Sequence, residues 1–408
     1  MGDILFLAHR VPFPPNRGDK IRSANLLRKL AKIAPVHVGC FAENDEDRAG
    51  AADVDALAAS HCVVDRKKPL VLAGVEAVLA GKPVSLTAFH SPRLEQWVQD
   101  TLAKQAIDTI VIFSGQMGQY VPDAFEGRVI IDLCDVDSAK FENYAASGQR
   151  VWLNSREGRL LAKEEERLAH RADATVLISA NEAKLFTSRL DAPAKANVQV
   201  IGNGIDARFF DPQQAQPHPE IATRKGPHFV FTGQMDYSPN ETAALWAVEH
   251  FLPVVRTRFP EAELHIVGRN PTKALLARKG VAGLTVWGEV PDVRPFLAAA
   301  TCVVAPLQIA RGVQNKVLEA MAMALPVMVT PQAATGIDAE EGAHWLKCEA
   351  DPQAMCERIE ALLADPSTVA DLGLAARQFV LDHHDWDAML APLKGLLRDE
   401  GEGARDAA

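Results

Sequence analysis

Short apolar runs alternate with helical stretches from one end of this chain to the other, and that alternation constrains its fold more than any other feature. The runs are apolar throughout rather than at every second residue, so they read as strands of parallel sheets covered by helices on both faces. In the first half they fall at Asp3 to Ala8, Val36 to Phe41, Cys62 to Asp65, Thr109 to Phe113, Val129 to Asp132, Ala174 to Ile178 and Val198 to Ile201. In the second half they fall at His228 to Thr232, Glu263 to Val267, Thr285 to Trp287, Cys302 to Pro306, Val327 to Val329 and Trp345 to Cys348. The longest helical reading, Arg150 to Arg171, puts charges on one side and Leu153, Leu160, Leu161 and Leu168 on the other. With 408 residues the chain suits two domains of about 200 residues each. The Pro/Gln segment Asp211 to Glu220 reads as a linker, so the boundary is expected near residues 205 to 225. The expected fold class is α/β, two doubly wound domains.

Composition excludes several functions. At 48% hydrophobic and 24% charged residues the chain is globular. Its six cysteines, at 40, 62, 134, 302, 348 and 356, form no C-x-x-C pair and suggest neither a zinc knuckle nor a disulfide framework. The apolar run Ile4 to Ala8 is too short for a signal peptide, and nothing approaches the roughly 18 apolar residues of a membrane helix, so a cytoplasmic protein is expected. A net charge of −10 argues against a nucleic-acid partner. Residues 1–32 nonetheless hold Arg10, Arg17, Lys20, Arg22, Arg28, Lys29 and Lys32 against Asp3 and Asp19. Such a basic face could make peripheral contact with anionic lipid at the inner face of a membrane, although a solvated first helix would look the same.

Doubly wound sheets bind ligands at the carboxyl ends of their strands. From Ala310 to Val329 the chain reads as strand end, Gly turn at Gly312, helix, and strand again, with Lys316 and Glu319 three residues apart near the helix start. Free N–H groups and the helix dipole favour a phosphate there, Lys316 adds a charge, and Glu319 can accept hydrogen bonds from ribose hydroxyls. A solvated Lys/Glu pair worth a few tenths of a kcal/mol is the plain alternative. Gly18 and Gly233, each after the first strand of its half, let backbone approach a ligand closely, unless they only turn the chain. Asp135 and Asp137 have the D-x-D spacing of a divalent-metal site, yet Asp137 and Ser138 could equally cap a helix beginning near Ala139.

Gly312-x-x-x-Lys316-x-x-Glu319, followed by Pro326 and Val327, is similar to the donor-site signature of the family-four glycosyltransferases. The segments Val200 to Asp206 with Phe209 and Phe210, Phe229 to Gly233, Leu264 to Gly268, Val286 to Asp292 and Val303 to Pro306 follow the family order. Ala8 to Ser23 resembles the sugar transferases associated with PEP-CTERM/exosortase exopolysaccharide systems. The resemblance implies a GT-B fold of two Rossmann-like domains facing a cleft. Residues 1–205, with 386–408 packing back through a final crossing helix, would bind the acceptor, and residues 206–385 the nucleotide sugar. It implies a retaining transferase that needs no metal or cofactor and moves a sugar from a UDP- or GDP-type donor to a saccharide or lipid-linked acceptor. The donor contacts it implies are Gly18, Gly233, Val290, Gly312, Val313, Asn315, Lys316 and Glu319, and the residues themselves add Arg269, which follows Gly268, and Arg311, whose guanidinium suits a phosphate. His9, Arg17, Asp19 and Lys20 would meet the acceptor, with Asp135 as base or orienting group. Two departures stand out: Gln234 to Asn240 lacks the basic residues many members carry after this glycine, and Arg311 occupies the place of the usual first Glu. A nucleotide-sugar epimerase of the same fold, a metal-dependent GT-A transferase and a non-catalytic scaffold are the alternatives.

Overall fold

The computed structural model describes residues 2–310 and 312–398. Arg311 and the small, charged tail 399–408, expected to fray, lie outside the described residues. The chain divides into two compact units, residues 1–203 together with the chain from Met389 on, and Gly204–Ala388.

The first unit is built on seven strands, β1 (Asp3–Ala8), β2 (Val36–Ala42), β3 (Ser60–Asp65), β4 (Ile107–Phe113), β5 (Arg128–Cys134), β6 (Ala174–Leu177) and β7 (Val198–Val200). They lie in the order β3-β2-β1-β4-β5-β6-β7, and every pair is parallel. Leu5, Leu7, Ile110, Ile112, Val129 and Ile131 share one apolar cluster, while Ile4, Phe6, Val111 and Ile130 are buried on the opposite face. That two-sided burial is why the strands read as unbroken apolar runs.

The second unit repeats the plan with β8 (His228–Thr232), β9 (Glu263–Val267), β10 (Leu284–Gly288), β11 (Cys302–Ala305), β12 (Val327–Val329) and β13 (Leu346–Lys347). Its order is β10-β9-β8-β11-β12-β13, again parallel throughout. In each sheet the order reverses beside the first strand, at β1/β4 and at β8/β11, and a crevice opens beyond the carboxyl ends at such a reversal.

Three expectations need correction. The helix Val151–Arg171 does not segregate charge from core: Glu157 and Glu165 are buried on the same face as Leu161 and Leu168. Each carboxylate has a helix start to satisfy. Glu157 accepts from the N–H groups of Val84 and Ser85 (2.8 and 2.9 Å), and Glu165 from Ser138 N (2.9 Å) and Oγ (2.5 Å).

The Pro/Gln segment is no loose linker. Pro212 and Pro219 each start a short helical turn, a position where the missing N–H costs nothing. His218 N donates to Pro295 O at 2.8 Å, and its ring stacks 4.4 Å from that of Phe296.

From Met389 on the chain returns to the first unit. The long helix Pro366–His383 belongs to the second unit, and the chain rejoins the first through Leu393–Leu396, where Leu396 O accepts from Arg128 Nε at 2.6 Å.

The basic N-terminal face is largely spent inside the fold. Lys20 is buried against Asp47 at 2.8 Å, and Arg10 and Arg17 pair with Asp19. Arg22, 2% exposed, reaches Asp132 (2.7 Å) and the carbonyls of Ile201 and Gly202 (2.8 and 3.0 Å). Removing either charge of the Arg22–Asp132 pair would strand the other in the interior, costing about 3–5 kcal/mol.

Candidate functional site

At the β8/β11 reversal the chain builds a small cationic site. Gly233 ends β8 with φ of +152°, a conformation that favours glycine, and a Cβ there would stand 3.2 Å from Lys316 Nζ. Gly268, with φ of +147° at the end of β9, lies so close that its Cβ would sit 1.7 Å from the Gly233 carbonyl oxygen. Two bare backbones therefore pack together, with Asn240 and Lys316 beside Gly233.

Lys316 comes from the helix Asn315–Ala322, which follows the loop after β11. Its N-cap, Gln314, gives no side-chain cap, and the N–H groups of Val317 and Leu318 turn back to Gln314 O (3.0 and 3.4 Å). The N–H groups of Asn315 and Lys316 have no acceptor among the described residues. The Lys316 ammonium donates to Asn240 Oδ1 and stands 4.7 Å from the centroid of Phe231. Asn240 is in turn held by its Nδ2, which donates to Gln234 O at 2.9 Å.

Among the described residues no carboxylate lies within 4.0 Å of Lys316 Nζ. Burial, only partly offset by Glu319, lowers the Lys316 pKa to about 8, and burial, partly offset by Lys316, raises that of Glu319 to about 7. Neither residue is the freely solvated partner a surface helix would carry. Asn240 and Phe231 were not singled out by sequence reasoning, because the amide that grips Lys316 lies 76 residues from it.

The other expected donor contacts divide. Arg269 lies against the Gly233 loop, its Nη2 donating to Gln234 Oε1 at 2.6 Å. Gly312, Val313 and Asn315 sit in the loop and first turn beside Lys316, with Gly312 at φ of +82° and Val313 exposed. Val290 packs partly buried against the core of the second unit. Arg311 lies outside the described residues, and Gly18 opens a helix of the first unit, with open space where a Cβ would be.

In the first unit a cavity of about 840 Å³ opens beyond the ends of β1, β4 and β5. His9, Arg17, Asp19, Asp135 and Asp137 line it, together with Ser114, Glu157 and the rings of Phe89 and Phe113. Lys20 does not, and the acceptor contact expected of it is corrected: its ammonium is locked into the buried pair with Asp47. Ser114 and Cys134, where β4 and β5 end, both take positive φ (77° and 64°), strain of the sort that gathers at working sites.

His9 is buried, and its Nδ1 has no hydrogen-bond partner among the described residues. Burial, opposed by the hydrogen bond with Asp19, lowers its pKa. Burial would raise the Asp19 carboxyl, but His9, Arg10 and Arg17 more than offset this and hold it well below the usual carboxylate range. Asp135 moves the other way, raised by burial and then by Glu182 and Asp137. The helix expected near Ala139 starts at Asp137, and it is Glu165, not Ser138, that satisfies its first turn.

Among the described residues one further cluster, His228, Glu263 and His265, gathers at the amino ends of β8 and β9. Its imidazole nitrogens are already engaged. Trp287 Nε1 donates to His265 Nδ1 (3.2 Å), which leaves Nε2–H to face His228 Nδ1 (3.1 Å), while Glu263 takes Arg224 at 2.9 Å. The donor set fits a hydrogen-bond relay rather than a metal.

Residues 226–365, most of the second unit, match the family described as Glycosyl transferases group 1. The alpha-maltose-1-phosphate synthase of Mycolicibacterium smegmatis is 25% identical over 236 residues, 53% of this chain and 60% of that protein's length. Among solved structures, HepE of Anabaena in complex with UDP superposes with a TM-score of 0.60 at 15% identity, covering 97% of this chain and 99% of that one. The sucrose-phosphate synthase of Thermosynechococcus elongatus covers the whole of both chains with a TM-score of 0.57 at 18% identity. The fold is that of the GT-B glycosyltransferases, which removes the GT-A alternative at the level of architecture. The second unit carries the group 1 glycosyl transferase signature.

Proposed function

We propose that the chain is a glycosyltransferase that takes a sugar from a nucleoside diphosphate on the second unit and passes it to a saccharide or lipid-linked acceptor in the first. One observation carries this reading: Lys316 is a largely buried cation whose contacts among the described residues are the neutral Asn240 and Phe231, beside a bare glycine backbone and a helix start without a side-chain cap. A diphosphate supplies the missing anion, and Glu319 is read as the acceptor of ribose hydroxyls. The similarity to a structure solved with UDP supports the same ligand class.

Positive charge from Lys316, Arg269 and the helix start would stabilise the departing diphosphate, so no divalent metal or cofactor is called for. Asp135, with its raised pKa, and the unpartnered Nδ1 of His9 are the groups suited to orient an acceptor hydroxyl. Retention of configuration and a part in exopolysaccharide synthesis follow from the family resemblance of the sequence, and a cytoplasmic location from its unpaired cysteines.

A thermal-shift panel of UDP, GDP, ADP and TDP in excess chelator tests the reading. One nucleotide at a hundred times its Kd should add about 2.7 kcal/mol of stability. No shift with any of the four, or a shift only with added Mg or Mn, would set the proposal aside.

A further inference from the structure

The helix Leu70–Ala80 is built inside out. Ala73 and Ala77, one turn apart, are fully buried, while its large side chains face water: Leu79 is 83% exposed, Val71 82% and Leu70 64%. An ordinary surface helix turns its apolar stripe to the core and its charges outward. Here the one charged residue, Glu76, is neutralised by Lys68 at 2.7 Å. The neighbouring helix extends the same patch. Arg156 donates to the carbonyls of Ala77 and Lys82 (2.8 and 3.1 Å), which fixes the start of Val151–Arg171 against it, and Trp152, one turn before Arg156, is 68% exposed. An apolar surface this contiguous marks an interaction site.

Cations frame it. Exposed Lys82 follows the helix, exposed Arg150 precedes Val151 and Trp152, and exposed Lys67, 3.3 Å from Asp65, lies before the helix. Apolar side chains, an aromatic at their edge and flanking lysines together fit the interface of an anionic bilayer, where the lysines meet phosphates and the tryptophan sits at headgroup level. Eleven residues rise only about 16 Å, far short of the ~30 Å hydrocarbon core, so the helix would lie in the membrane plane rather than cross it.

We propose that Leu70–Ala80, with Trp152, docks this protein on an anionic membrane surface. Leu70 and Val71 also line the 840 Å³ cavity, so docking would bring that cavity to lipid-borne molecules. This last step rests on the transfer reading, whereas the docking itself does not.

Sedimentation of the full chain with vesicles of phosphatidylcholine, alone or mixed with phosphatidylglycerol, needs no nucleotide and so fails or succeeds independently of that reading. The wild type should bind the mixed vesicles. Leu72→Gln with Leu79→Gln should lower its partition coefficient roughly tenfold or more, and Lys82→Gln about fivefold. Leu374→Gln, an exposed leucine of the second unit, should change nothing. All of these positions are exposed, so circular dichroism should show native folds. Wild type left in the supernatant, or a double variant that binds like wild type, would overturn the proposal. So would self-association that the double variant abolishes without any vesicle binding.

Discussion

The Lys316 ammonium stands 4.7 Å from the centroid of the Phe231 ring, with Asn240 as its hydrogen-bond acceptor. Both partners are neutral, so they orient the cation without cancelling its charge. A buried amine with no carboxylate within ion-pair distance among the described residues is costly, and the lowered pKa of Lys316, only partly offset by Glu319, records that cost. Holding such a group in place makes physical sense where an anion is to arrive.

Asn240 should therefore matter through Lys316. Asn240→Ala removes the acceptor that points the ammonium at the Gly233 loop, and donor KM and kcat are both expected to worsen, by about tenfold in kcat/KM. Asn240→Asp should instead place a carboxylate beside Lys316, raise its pKa and compete with the diphosphate. Steady-state kinetics of the two variants, with a pH profile of donor affinity for each, separates positioning from mere folding. Identical effects of Ala and Asp would contradict the assignment.

The pH dependence follows from the same pair. Lys316 carries its charge below about 8, and Glu319 carries its own above about 7. Nucleoside diphosphate affinity should peak between those values, falling above as the ammonium is lost and below as the carboxylate is protonated. Stability runs the other way. Lys316 starts from 10.5 when unfolded, so the unfolded chain holds the extra proton between 8 and 10.5 and stability rises with pH there. Glu319 starts from 4.5, so the folded chain holds the extra proton up to 7 and stability falls as pH rises through that window. The site is thus least comfortable where it binds best, and Lys316→Met should melt above wild type at neutral pH. A lower melting temperature would show that Lys316 supports the fold.

How much of this could be read from residue order depends on the range of the interaction. All thirteen strands lie within two residues of their apolar runs, because burial on both faces leaves a local imprint. The Gly233 and Lys316 elements were legible from a glycine after a strand, a helix start and the spacing that resembles a donor-site signature. Asn240 was not: nothing local distinguishes an asparagine that grips a lysine 76 residues away. Glu157 and Glu165 look like the charged side of an amphipathic helix, and only the folded chain brings the starts of two other helices against them. Leu70–Ala80 misleads in the opposite sense, because a run that apolar ordinarily reports burial.

His265 offers a test of the second unit's stability. Burial first, then His228, Arg224 and His218, lower its pKa to about 3 from 6.5. Between those values the unfolded chain binds the extra proton, so the stability His265 contributes is complete above 6.5 and is lost as pH falls toward 3. In His265→Gln the amide can still accept from Trp287 and donate to His228, yet it does not titrate. Calorimetric melts across that window should show a shallower acid limb for the variant. Superimposable acid limbs would mean that other groups govern acid unfolding.

Calorimetric titration of UDP and GDP into wild type, Lys316→Met and Lys316→Arg tests the diphosphate site most directly. Wild type should bind at least one of the two, Lys316→Met should bind it about ten- to a hundredfold more weakly while melting cooperatively, and Lys316→Arg should recover part of the loss. Equal affinity of wild type and Lys316→Met for whichever nucleotide binds would contradict the diphosphate assignment.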